Sequence, residues 1–157
     1  MATVKPVPQG YHTVTPYLVI KGAGKAIDFY KKAFGASEIM RFEYEGVIGH
    51  AEIKIGDSPL MLADEMPDMG ARSAQTLGGT PVHIMLYVED VDMFVERAVG
   101  AGARVTRPIT KQFYGDRVGC LEDPFGYSWF VATHVEDVAP DELQRRAKAA
   151  YEEGKKG

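Results

Sequence analysis

The sequence predicts an α+β fold built from two copies of one unit, strand–helix–strand–strand–strand. Three observations predict it. The pattern of apolar runs and glycine breaks restarts at an offset of about 68 residues, from Leu18 to Leu86, which is too long for a solenoid repeat and suits a duplicated module. Each copy has one amphipathic helical stretch among short β-patterned runs. The chain has 157 residues, the size of one domain, with 45% apolar and 25% charged residues.

The first copy spans residues 12–65. Residues 1–13 are broken by proline and glycine and read as irregular. Residues 15–20 read as a strand, with Pro16 confined to an early or edge position. A helix follows over 25–34: Ala26, Ile27, Tyr30 and Phe34 recur at helical spacing and Gly35 stops it. Strands follow at 39–44, 48–55 and 60–63. In the middle one Ala51, Ile53 and Ile55 share one face, and His50, Glu52 and Lys54 the other. Residues 64–80, with Pro67, Gly70, Gly78 and Gly79, read as a linker or mobile loop, whose core is 66–80. The second copy covers 81–134. It has a strand at 82–88, a helix over 91–101 capped by Glu89 and Asp90, and strands at 104–106, 117–122 and 127–133. Gln112 to Asp116 reads as a turn. Pro140 opens a C-terminal helix over 140–153, whose charged run reads as a solvated face.

Composition excludes several classes. A formal net charge of −4 leaves no basic stripe for nucleic acid. No apolar run approaches the roughly 20 residues that span a bilayer, and the first residues lack the apolar core of a signal peptide. The single cysteine, Cys120, cannot form an internal disulfide and reads as buried and inert, so a reducing cytoplasm is the expected compartment.

Several strings point further: Ala26-Ile27-Asp28-Phe29-Tyr30 with Phe34-Gly35, Tyr87-Val88-Glu89-Asp90-Val91, and Asp123-Pro124-Phe125-Gly126-Tyr127. They resemble the vicinal oxygen chelate superfamily, the group of glyoxalase I, extradiol dioxygenases and fosfomycin and bleomycin resistance proteins. His50-Ala51-Glu52, Phe113-Tyr114-Gly115-Asp116-Arg117 and Thr133-His134-Val135-Glu136-Asp137 resemble its PhnB-like branch. The resemblance covers about residues 12–138. It implies the glyoxalase-like fold: paired βαβββ modules whose curved mixed sheets form a cup with helices on the outer face, in a homodimer. Active members hold a divalent metal with one residue from the first and last strand of each module. Carried onto this chain, those positions are Thr15, Met61 (or Leu62), His83 and Phe130. Only His83 is a competent ligand, and a catalytic site needs about three. The resemblance therefore leads to the expectation of no metal and no other cofactor.

His83, Met85 and Tyr87 share a strand face directed into the cup, and His83 reads as a ligand contact or as a hydrogen-bonded interior histidine. His50 and Glu52 could act as an acid/base pair, as ligands of a relocated metal with His83, or simply as a solvated or interface face. Arg117 could pair with an anionic ligand or pin a loop through Glu52, Asp116 or Glu122. Phe113 and Tyr114 read as closing the core. Tyr17, Met61, Met85, Trp129 and Phe130 would make a soft aromatic lining, or plain core. His12 and His134 read as surface histidines. The expected function is the binding of a small organic molecule in the cup without metal. The alternative is an enzyme of lyase, isomerase or dioxygenase type that uses His83, His50 and Glu52. A third is a purely interacting protein with no accessible cavity.

Overall fold

The computed structural model describes residues 3–156. The first module comprises β1 (Tyr17–Ile20), α1 (Ala23–Phe34), β2 (Ser37–Tyr44), β3 (Val47–Ile55) and β4 (Ser58–Asp64). A 3-10 turn at Pro67–Met69 and a short helix α2 (Ala74–Leu77) follow. The second module comprises β5 (His83–Tyr87), α3 (Val91–Ala101), β6 (Arg104–Lys111), β7 (Asp116–Glu122) and β8 (Ser128–His134), before α4 (Pro140–Gly154). Each module forms a four-stranded mixed sheet, in the orders β1-β4-β3-β2 and β5-β8-β7-β6. First and last strands pair in parallel, and the remaining pairs are antiparallel. The duplicated βαβββ architecture is the one the sequence predicts.

The two helices are capped by equivalent devices. Gly22, ahead of α1, has no side chain to cap with, and Asp64 at the end of β4 accepts from Ala23 N at 2.7 Å instead. In the second module Asp90 accepts from Met93 N at 3.0 Å, and Thr133 near the end of β8 accepts from Val91 N at 2.9 Å. In both modules, then, the last strand closes the helix of its own unit. Gly35 ends α1 in the left-handed conformation (φ 66°), with its N–H on Tyr30 O. The β2–β3 turn places Glu45 (φ 50°) and Gly46 (φ 80°) both at positive φ, the tight hairpin geometry that matches strand twist.

The modules meet through their helices. Phe34 of α1 stacks on Phe94 of α3 at 5.4 Å and meets Trp129 edge-on at 4.8 Å. Arg97 of α3 donates to Lys32 O (2.6 Å) and Lys31 O (3.2 Å), covering the open carbonyls at the end of α1. Tyr30, Ile20, Ile27, Leu62, Leu121 and Trp129 are fully buried, so one continuous core joins the two halves.

Two expectations change. The strand expected at 104–106 runs on through Pro108 to Lys111. It tolerates proline because β6 is an edge strand, and its register on β7 shifts between Val105 and Arg107 and between Arg107 and Thr110. The segment 64–80 is pinned rather than loose. Glu65 Oε2 accepts from Ser73 N (2.9 Å) and Thr76 Oγ1 (2.7 Å), and Gln75 Nε2 reaches Pro124 O at 3.0 Å. These donors, that from Ser73 first, hold the Glu65 carboxyl below its ordinary range.

Candidate functional site

The helix-free face of the first sheet collects four of the expected residues. Tyr17, Met61 and Glu52 are successive partners across β1, β4 and β3, and His50 lies two residues from Glu52 on the same face. Tyr17 O–H donates to His50 Nδ1 at 2.8 Å, and His50 Nε2–H donates to Glu52 Oε1 at 3.0 Å. Tyr11 O–H donates to the other oxygen, Glu52 Oε2. One neutral tautomer of His50 satisfies the whole chain Tyr17–His50–Glu52–Tyr11. The Glu52 side chain is 13% exposed and that of His50 26%. Tyr11 lies in the irregular segment before β1, where no periodicity marks it.

The second sheet presents His83, Met85 and Tyr87 from β5, with Phe130 opposite Met85 on β8. The rings of His83 and Phe130 meet edge-on at 5.1 Å. Tyr87 O–H donates to Asp116 Oδ2 at 2.8 Å. Asp116 is 3% exposed, and its other oxygen contacts His134 Nδ1 at 2.7 Å, while His134 Nε2 contacts Asp137 at 2.8 Å. The sequence placed Asp116 in a turn and His134 on the bare surface. The shared face of Asp116, Val118 and Cys120 in β7 was the available signal. Cys120 is buried, and burial pushes its thiol up, as expected of an inert cysteine.

Arg117 is not on this face. It follows Asp116 in β7, so it points to the opposite, helix-bearing side. There it grips Asp92 of α3 through Nε (2.7 Å) and a terminal nitrogen (2.8 Å). Arg117 holds the Asp92 carboxyl below its ordinary range. The pinning role is thus real, but its partner is Asp92 rather than Glu52, Asp116 or Glu122. Phe113 and Tyr114 are 38% and 40% exposed, and the expected core-closing role is only half met.

His134 sits between two carboxylates, Asp116 and then Asp137, and both hold its imidazolium above the ordinary value. A raised folded-state value stabilises the fold below the unfolded value of about 6.5 and is lost as pH rises through the folded value. Melting temperature should therefore fall as pH is raised upward from about 6.5, and His134→Gln should flatten that slope when melting is followed by circular dichroism.

Two grooves lie between the modules, one walled by β1 and β5 and the other by β5 and the β3–β4 turn. One, of about 650 Å³, is lined by Tyr17, Val19, Pro81, Val82, His83 and Met85 among others. The second, of about 810 Å³, takes in Met85, Tyr87, His12 and the edges of Phe34, Phe94 and Trp129. Tyr17, His83 and Met85 thus meet in one cavity, and Tyr17 ties it to the His50–Glu52 chain.

The four positions expected to hold a divalent metal do not fit one. Met61 faces Tyr17 across the sheet, Phe130 faces Met85, and Thr15 lies ahead of β1, so His83 is the single strong donor. Both nitrogens of His50 are engaged with Tyr17 and Glu52. Among the described residues no group of three or more His, Cys, Asp or Glu side chains is placed to hold a metal ion, His50, Glu52 and His83 included. No helix among the described residues is long and apolar enough to cross a membrane.

The chain is similar to an uncharacterized protein of Mycobacterium bovis, 43% identical over 135 residues that cover 83% of this chain and 89% of that protein. Among solved structures, an Arabidopsis thaliana gene product matches with a TM-score of 0.63 and 27% identity over 78% of this chain and 98% of that one. TioX from Micromonospora matches at 0.61 with 20% identity, covering 82% and 100% of the two chains. A PhnB protein from Bacillus cereus matches at 0.61 with 18% identity over 78% and 99%. The last two show a shared fold and no more. The sequence profile of one family matches residues 11–131. With its duplicated βαβββ sheets, this chain belongs to the glyoxalase/bleomycin resistance protein/dioxygenase superfamily.

Proposed function

We propose that this protein binds a small, planar organic molecule in the groove between β1 and β5, without a catalytic metal. One observation carries the reading: a groove of about 650 Å³, lined mainly by apolar and aromatic side chains with a few polar groups, where the donor set at the superfamily's metal positions has collapsed to His83. That volume lies in the usual range for small-molecule pockets. The chain acts as a homodimer in a reducing cytoplasm. Exposed aromatics on the sheets, Phe42 at 62% and Tyr87 at 64%, support a covered face in the assembly.

A second reading rests on the hydrogen-bonded chain. His50 Nδ1 accepts the Tyr17 proton while its Nε2–H stays bonded to Glu52, so Tyr17 is set to act as an acid/base group at the groove wall, with the Glu52 carboxylate steadying the imidazolium that forms. Such an enzyme would turn over substrate by proton transfer.

The test uses purified, extensively dialysed protein. Trace amounts of Zn, Fe, Mn and Ni are expected, and 2-naphthamide at ten times its Kd should raise the melting temperature by about 3 °C or more. Stoichiometric retained metal, or no stabilisation, overturns the proposal. His50→Ala should leave that binding and the melting temperature within a few degrees. A substrate turned over by the parent protein and untouched by His50→Ala would favour the enzyme instead.

A further inference from the structure

The loop between the modules carries a cation to the edge of the same groove. Arg72 lines the cavity together with Tyr17, Leu77, Pro81, Val82 and His83. Its neighbour Ser73 is fully buried and held by Glu65, so the backbone that carries Arg72 is fixed. Arg97, Arg104, Arg117, Arg145 and Arg146 each bond to a carboxylate or a carbonyl. The Arg72 guanidinium, like that of Arg107, has neither a hydrogen-bond nor an ion-pair partner among the described residues, but Arg72 alone of the two lines this groove, where the His83 imidazole likewise has no hydrogen bond. No Asp or Glu lines this groove. A mainly apolar groove with an unpaired guanidinium in its lining, carried on a held backbone, and no acidic group to compete has a clear complement. That complement is an apolar body ending in a planar anion, because the guanidinium fork pairs bidentately with a carboxylate.

Building on the binding reading above, we infer that the ligand class is an apolar carboxylic acid, seated along β1 and β5 with its carboxylate on Arg72. The apolar body lies against Tyr17, Val19, Val82 and Met85. His83 supplies the second donor when its ring N–H is turned toward the carboxylate. The second groove is a poorer host for the anion, because Asp57 and Glu89 lie in its lining.

The experiment is titration calorimetry on the full chain with two probes of equal shape, 2-naphthoate and neutral 2-naphthamide. The parent protein should bind the acid at least about tenfold more tightly than the amide, the ratio expected when one charge-assisted pair is added. Arg72→Met should erase that preference by weakening the acid and leave the amide unchanged. Arg72 is exposed, so this variant is expected to fold, and an unchanged melting curve verifies it. Val82→Trp, at a position 66% exposed, should fill the groove and abolish binding of both probes. Equal binding of acid and amide, insensitive to Arg72→Met, overturns the carboxylate class while the groove reading stands. Failure of both probes to bind, or binding indifferent to Val82→Trp, overturns the groove itself.

Discussion

Replacing Asp123 with alanine should remove on the order of 4 kcal/mol of folding stability, enough to unfold most of an ordinary domain's reserve. Asp123 is 4% exposed and opens the turn between β7 and β8. One carboxylate oxygen accepts from Phe125 N (2.8 Å) and Tyr127 N (3.0 Å). The other accepts from Tyr30 O–H (2.6 Å) and Trp129 Nε1 (2.9 Å). The residue therefore joins α1 of the first module to the turn and last strand of the second. Burial pushes its carboxyl up, against the pull of four donors, and burial together with Asp123 pushes the Tyr30 phenol up. Alanine leaves four donors without an acceptor, each costing about 1–3 kcal/mol where water cannot reach it. Asparagine should fall between alanine and the parent. Its oxygen can keep the two backbone N–H groups and Tyr30 O–H can turn to accept, but Trp129 N–H, which can only donate, loses its partner. Urea unfolding followed by fluorescence reads this directly, because Trp129 is the only tryptophan in the chain. A midpoint within error of the parent for Asp123→Ala would refute the pin.

Gly115→Ala should cost on the order of 3 kcal/mol, for reasons of backbone geometry. Gly115 has φ +99°, and a Cβ there would lie 2.0 Å from the carbonyl oxygen of Glu136. That oxygen belongs to a segment that cannot easily retreat. Val135 N and Glu136 N both donate to Gly115 O, at 2.9 and 3.0 Å, and Glu136 is gripped by Arg146 of α4 and by Lys111. Arg146 first, then Lys111, hold the Glu136 carboxyl down at about 2. Alanine must push the segment away, breaking the bonds to Gly115 O and loosening both His134 and the anchor of α4. Gly46→Ala is the control. Its φ is +80°, yet nothing lies within 4 Å of the added carbon, so the loss should be about 1 kcal/mol. Equal losses at the two positions would show that the clash with Glu136 is relieved without cost.

The residues around Asp116 show where local reasoning stops. Period-two alternation says that Asp116 and Arg117 point to opposite faces, and it says nothing about which face is which. The answer comes from the pairing of Asp116 with His134 across β7 and β8. That pairing sends Asp116 to Tyr87 and His134, and Arg117 to Asp92. The His50–Glu52 pair was legible because alternation within β3 is strict. Its extension to Tyr11 was not, since a proline- and glycine-broken segment has no period to follow. Arg72 stayed out of view for the same reason, lying in the loop between modules.

By itself the sequence determined the duplicated βαβββ plan and the helices with their glycine stops. Each of these is written in side-chain type and short-range spacing. Tertiary structure alone decided the groove between β1 and β5, the placing of Arg72 and His83 in its lining, and the Asp123 pin. These arise where α1 packs on α3 and sets β1 and β5 as walls of one groove. Contacts between residues so far apart in the chain follow from how whole faces are buried, a property that no local window of residues carries.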